Sequence, residues 1–462
     1  MNDSSFRHFL IIAVVSLGLL VMLSALPLAQ LSDNMIKDFN LFEDLFPERH
    51  RTIEKSETVE ADPELTALLA EESETAVNAV VTDTTVAPVY EEAADNALAE
   101  APVVDGVVCM ENYTGDKPLT KFRQALASGN ARIAVMGDSF IEGDIFCEDL
   151  RDLLQQRYGG NGVGQVALHS EFPGFRKSVR QTSSGWTLHD IRTMAAKDSV
   201  RQLSGDYCIA SDAAKTTFKG TSFSERTASW ERSSFTFIAP DSGSVTLTTD
   251  TGSRVFEIEA DESPRTLSVS GKTAKFEIET DVPGLIGLGA CLDGGGISLD
   301  CLSIRGNSGI AHRRINSALC SELRAERNYN LIILEFGINA LSPEQTDYSA
   351  YRIGMERVIA KLKSIYADAD IVVLGIGDRG AKEGSEVSSL STCRYMVEQQ
   401  RKLAVNAKCM FWDTRAAMGG AGSVRDWKKR GLVNADYIHL NHKGGKELAT
   451  LFNNALTKVL DE

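Results

Sequence analysis

Apolar residues fall along the chain in three textures. Residues 9–29, Phe9 to Ala29, are uncharged and almost entirely apolar. At about 1.5 Å per residue, a helix of that length crosses a bilayer core. Arg7 and His8 precede it as a positive flank for an inside N-terminus; a cleaved signal peptide is the rival reading. From residue 30 to about 105 the apolar positions lose any period. Glu, Ala, Thr and Val dominate, and aromatics nearly vanish after Phe46. That composition holds no core and predicts an extended, flexible tether.

Periodic segments begin near Val107. Ile133–Met136, Leu331–Phe336 and Ile371–Ile376 are short continuous apolar runs, the mark of strands covered on both faces. Arg352–Tyr366 and Arg394–Ala407 carry helical periodicity, Cys409–Trp412 offers a last strand, and Gly444–Leu460 a closing helix. Strands alternating with helices predict a doubly wound parallel sheet, with any site at the carboxyl ends of its strands. From about Ser178 to Leu299 the period changes to two, in Ser234–Ile238, Ser244–Thr248, Val255–Glu259 and Ala274–Ile278. Turn clusters such as Pro240-Asp241-Ser242-Gly243 separate these segments, which predicts an inserted β-sandwich. The expected organisation is therefore a membrane anchor or signal (1–30), an acidic linker (31–105), an α/β domain in two pieces (106–177 and 300–462) and an insertion (178–299).

Charge sharpens this division. The net charge is −16, but residues 42–101 hold sixteen acidic residues against three basic ones, a net of −13. The remainder is thus close to neutral, at about −3, and lacks the basic face that phosphates require; no nucleic-acid partner is expected. With 43% hydrophobic and 24% charged residues, the chain as a whole has the composition of globular protein.

The candidate chemistry centres on Ala131 to Asp144. The run Ile133–Met136 stops at Gly137, Asp138-Ser139 follow, and a helix-compatible stretch continues through Gln155. A serine at a strand-to-helix turn would meet unsatisfied N–H groups and a positive helix dipole, both favourable to a nucleophile and its oxyanion. Alternatively, Asp138 or Ser139 is only a helix cap. Gly137-Asp138-Ser139-Phe140 resembles the first block of the SGNH (GDSL-like) hydrolases, in which that serine is the nucleophile. Three further stretches resemble the remaining blocks, in the family's order: Ser303 to Ser308, Gly337-Ile338-Asn339, and Asp436-Tyr437-Ile438-His439. Ala340 departs from the Gly-x-Asn-Asp pattern of many members.

The resemblance implies a flavodoxin-like strand order and a catalytic triad of Ser139, Asp436 and His439. It also implies an oxyanion hole made by the Ser139 N–H, the Gly306 N–H and the Asn339 side chain. Asp436 and His439, three apart in a loop, can both face one serine. His442, His312, His189 and His169 are rival bases, though none has a carboxylate three residues before it within such a block. No His/Cys spacing suits a metal, and neither metal nor cofactor is expected. The glycine-rich stretch Tyr158–Gly164 lacks the Lys-Ser/Thr of a phosphate loop and is read as a sharp return at the edge of the cleft.

Some SGNH peptidoglycan O-acetylesterases carry a carbohydrate-binding-module-like sandwich at the corresponding place, and this arrangement is similar. Trp186 and Trp230 of the insertion could stack on sugars or fill its core; the core is the favoured reading. Eight cysteines in an exported chain make disulfides plausible, with Cys291 and Cys301 flanking the end of the insertion as a candidate staple, and Cys147 as buried packing. The expectation is an exported, membrane-anchored serine esterase acting on O-acylated envelope polysaccharide or peptidoglycan. An O-acetyltransferase working with a membrane acyltransferase partner is the first alternative, and a non-catalytic glycan-binding surface protein the second.

Overall fold

A computed structural model describes residues 100–192, 199–383 and 386–462. The apolar segment 9–29 and nearly all of the acidic tether lie outside the described residues. Among the described residues, no helix is long and apolar enough to cross a membrane.

The chain enters through three short strands, β1 (Val103–Val104), β2 (Val107–Val108) and β3 (Glu111–Asn112), then helix α1 (Thr120–Ala127) and strand β4 (Asn130–Gly137). Helix α2 (Cys147–Tyr158) follows. Nine antiparallel strands come next: β5 (Gly162–Val166), β6 (Val179–Asp190), β7 (Asp206–Gly220), β8 (Trp230–Ala239), β9 (Gly243–Thr249), β10 (Gly252–Ile258), β11 (Asp261–Thr273), β12 (Lys275–Thr280) and β13 (Ile286–Asp293). The α/β pattern returns with β14 (Gly296–Ser303), α3 (Ser317–Leu323), β15 (Leu331–Glu335), α4 (Ser349–Ile365) and β16 (Asp370–Leu374). A hairpin of β17 (Gly380–Glu383) and β18 (Glu386–Ser389) precedes α5 (Cys393–Asn406), β19 (Met410–Trp412), α6 (Thr414–Met418), α7 (Ser423–Lys429) and α8 (His442–Asp461).

The second sheet has the order β14-β4-β15-β16-β19-β3, parallel except for β3. Numbering only its five parallel strands along the chain gives 2-1-3-4-5, the flavodoxin-like order. Register explains why the site assembles here. Gly137 pairs with Ser303 on one side and Glu335 on the other, Glu335 with Leu374, and Leu374 with Trp412. Five strands thus end at one rim, and the order reverses beside β4, which opens a crevice at its carboxyl end. Ile133–Met136, Leu331–Leu334 and Val372–Leu374 are all buried between helical layers, as continuous apolar runs require.

The antiparallel strands between α2 and β14 form one hydrogen-bonded sheet in which β7 and β13 each change partners along their length. It wraps its own core, including Trp186, Phe218, Trp230, Phe235, Phe237 and Phe276. Trp230 is wholly buried and its indole N–H donates to Ser233 at 2.7 Å. Both tryptophans are therefore core residues and present no ring to a sugar. The sheet also takes in β5, so the glycine-rich stretch after Tyr158 leads into a strand paired with β13. Arg132 of β4 ties the two sheets together, binding Asp293 and Asp300 at 2.9 Å each.

All eight cysteines are free thiols. The expected Cys291–Cys301 staple is not formed: Cys291 lies against the Arg132 guanidinium at 3.4 Å, while Cys301 donates to the Ile141 carbonyl at 3.5 Å.

Candidate active site

Strand β4 delivers Ser139 to the rim, and its last residue shows why that position is glycine. A Cβ on Gly137 would lie 2.8 Å from the Glu335 carbonyl oxygen and 2.8 Å from the Ile141 side chain. Any other residue would push the nucleophile loop off its neighbouring strand.

The helix expected to start at Ser139 begins only at Cys147. A 3-10 turn intervenes, and Gly143, Asp144 and Phe146 all adopt positive φ. Asp144 is held in this break by Arg151 at 2.7 Å, by Arg176 at 3.2 Å and by the Ser178 hydroxyl. The dipole of α2 consequently does not act on Ser139, and neither Asp138 nor Ser139 caps it. Instead the Asp138 carboxylate turns inward and accepts the Phe140 N–H at 2.9 Å, closing a local turn that presents Ser139.

The structure brings together the three residues expected to act in relay. Ser139 Oγ lies 2.8 Å from His439 Nε2, and His439 Nδ1 lies 2.7 Å from Asp436 Oδ2. Ser139 is 9% exposed, so the hydroxyl is sheltered yet reachable. Asp436 Oδ1 also accepts the backbone N–H groups of Ile438 (2.9 Å) and His439 (3.1 Å), which curls the four residues into a tight loop. Tyr437 carries the strain of that loop at φ 59°, and its carbonyl accepts the Gly380 N–H of the β17–β18 hairpin. Burial works against the Asp436 charge. Even so, the hydrogen bond from His439 and the two backbone N–H groups hold its carboxyl down at about 2.

Gly306 and Asn339 follow the two strands that pair with β4. Gly306 has φ +73°, a conformation that L side chains rarely adopt, and the next N–H, of Asn307, closes a turn onto the Ile304 carbonyl. Asn339 Nδ2 donates to Asp138 Oδ2 at 2.7 Å and to the Asn307 carbonyl at 3.2 Å. One amide thus links all three strand-end loops. The turn beneath it is braced by Gln400, which donates to the Phe336 carbonyl at 2.7 Å and accepts the Ile376 N–H at 2.8 Å.

Two carboxyl groups, Asp138 and Glu335, join the site without having been expected in the relay or the oxyanion hole. Asp138 is wholly buried; burial pushes its carboxyl up to about 7, against the Phe140 N–H, the nearby His439 and the Asn339 amide. Glu335, 3% exposed, is pushed well above the ordinary carboxylate range by burial and then by the Asp138 charge. Its Oε2 has no partner. Asp138 has the donors, so of the two it is the one that ionises as pH rises through 7, while Glu335 keeps its proton. A glutamate interrupting the otherwise apolar run Leu331–Phe336 is the one signal that could have flagged Glu335.

The rival histidines lie in other settings. His442 binds buried Glu148 at 2.7 Å, His169 binds Ser183 at 2.9 Å, and His189 stacks on Tyr207. His312 is buried, which pulls its imidazole down to about 4 and keeps it neutral at pH 7. A cavity of about 230 Å³ is lined by residues of the antiparallel sheet and of the segments after β4 and β14. Glu142, Phe172, Asp190, Arg192, Ile304 and Arg305 are among its lining residues, but Ser139 and His439 are not.

No protein-family model and no curated protein matches the chain. Among solved structures, a peptidoglycan O-acetylesterase aligns over 76% of this chain and 99% of its own, at 22% identity and a TM-score of 0.63. A Bacillus subtilis protein aligns over 65% and 98% at 13% identity (TM-score 0.31). A family two carbohydrate esterase from Cellvibrio japonicus aligns over 60% and 99% at 11% identity (TM-score 0.26). With its 2-1-3-4-5 sheet, its four blocks at one rim and its likeness to the first of these structures, the chain has the SGNH-type hydrolase fold.

Proposed function

We propose that this protein is a serine esterase that removes O-acyl groups, acetyl above all, from envelope polysaccharide or peptidoglycan. The observation that carries the reading is the unbroken relay of 2.8 and 2.7 Å from Ser139 through His439 to Asp436. Ser139 Oγ attacks the ester carbonyl as His439 Nε2 takes its proton, and the same proton passes to the departing sugar oxygen. Water then cleaves the acyl-Ser139 by the reverse sequence. Asp436, ionised throughout, holds the His439 tautomer. The Ser139 and Gly306 N–H groups and the Asn339 amide receive the oxyanion, with Asn339 exchanging its longer bond to Asn307 for the new one.

The substrate class rests on the likeness to a peptidoglycan O-acetylesterase and on an apolar segment 9–29 that would hold the protein at the membrane with its catalytic part exported. Acetate release from O-acetylated peptidoglycan tests the reading. Wild type should release acetate with water as sole acceptor, and Ser139→Ala should lose both this activity and labelling by a fluorophosphonate probe. Acetyl transfer to a glycan with little hydrolysis would instead support the acetyltransferase alternative and a membrane donor partner. Absence of labelling in folded wild type would leave a glycan-binding role.

A further inference from the structure

Cys147 opens α2, and Cys301 lies in β14, three residues before the Ile304–Gly306 turn. Their sulfurs are within 4.8 Å of one another. Cys301 bears directly on the nucleophile loop, donating to the Ile141 carbonyl at 3.5 Å, and Cys147 is the residue at which that loop passes into α2. The two thiols differ in access: Cys147 is wholly buried, whereas Cys301 is half-buried and lines the cavity. Asp144 forms the third corner of this cluster. Its carboxylate is already held by Arg151, Arg176 and Ser178, so a cation there would face two guanidinium groups. The pair of sulfurs remains as the reactive feature.

We propose that Cys147 and Cys301 form a reversible disulfide that fastens the loop carrying Ser139 to the strand carrying the Gly306 turn. The oxidant is a low-molecular-weight disulfide entering through the cavity. The Cys301 thiolate attacks one of its sulfurs, forming a mixed disulfide and expelling one thiol. The Cys147 thiolate then attacks the Cys301 sulfur and expels the second. Two protein thiols lose two electrons and two protons in total, and the reagent's disulfide takes them up to give two free thiols. Closure requires the sulfurs to approach to about 2.05 Å, through side-chain rotation on a helix start and a strand. Burial raises the Cys147 thiol, which makes closure the slower step and one that quickens as pH rises. The bridged residues are far apart in sequence, so the crosslink constrains the unfolded chain strongly and stabilises the fold.

The test uses the full chain with oxidised glutathione, followed by alkylation, thiol counting after denaturation, peptide mapping and a thermal melt. These readouts do not depend on esterase activity. The expected result is loss of two of the eight thiols, a linked Cys147–Cys301 peptide and a raised melting midpoint, all reversed by dithiothreitol. Cys301→Ser, whose hydroxyl can still donate to Ile141, should show neither the link nor the shift. Eight surviving thiols, glutathione left standing on Cys301, or a bridge to any other cysteine would overturn the proposal.

Discussion

Replacing Asp138 with asparagine separates the stability of the site from its chemistry. In the wild type one carboxylate oxygen takes the Phe140 N–H and the other takes the Asn339 amide. The substituted amide can keep the first bond through its oxygen, but its NH₂ then faces the NH₂ of Asn339. The donor clash is relieved when Asn339 turns over, which aims its oxygen where a donor is required. One oxyanion donor is lost, a cost of about 10²–10³ in kcat, or roughly 3–4 kcal/mol. Stability should move the other way. Burial raises the Asp138 carboxyl from 3.8 to about 7, so its contribution to folding is fully present below pH 3.8 and is lost as pH climbs through 7. At about 1.4 kcal/mol per pH unit, the loss is on the order of 4 kcal/mol. Asp138→Asn abolishes that slope, so the variant should gain on wild type steadily between about pH 4 and pH 7. Urea unfolding across this range and steady-state hydrolysis of an aryl acetate measure the two effects. A variant that keeps kcat within a fewfold of wild type would refute the claim that Asp138 sets the Asn339 amide. Rescue by Asp138→Asn/Asn339→Asp would refute it too, because that pair restores the hydrogen bond but puts an anion at the oxyanion position.

Three other outcomes follow from the same geometry. Asp436→Asn should lower kcat by about 10⁴ through loss of the required His439 tautomer, with little change in the melting midpoint, since this half-exposed pair contributes at most about 1 kcal/mol; comparing kcat with thermal melts checks it. His442→Ala should leave fluorophosphonate labelling of Ser139 intact while destabilising the fold by roughly 1–3 kcal/mol, because Glu148 loses its partner in a buried setting; His439→Ala should abolish labelling. Gly306→Ala should cost about 1–2 kcal/mol at φ +73° and lower kcat, its new Cβ standing 3.0 Å from Arg192 Nη1; urea unfolding and aryl-acetate kinetics read the two effects.

Sequence by itself determined the parts of this protein that rest on local pattern. Continuous apolar runs marked the buried strands, period two marked the antiparallel insertion, and four short blocks marked the loops that meet at the rim. Ser139, Asp436 and His439 were singled out because their blocks resemble those of the SGNH hydrolases, and the fold brings the three side chains within hydrogen-bond reach of one another. What only the tertiary structure decided depends on burial and on partners distant along the chain. The α-helix starts at Cys147 rather than at Ser139 because Arg151, Arg176 and Ser178 hold Asp144 in a left-handed break. Trp186 and Trp230 fill a core instead of facing a ligand, and Cys301 finds Cys147 rather than Cys291. The charges of Asp138 and Glu335 follow the same rule: an isolated carboxyl titrates near 4, and only the loss of water around two of them under one serine separates a carboxylate from a protonated acid.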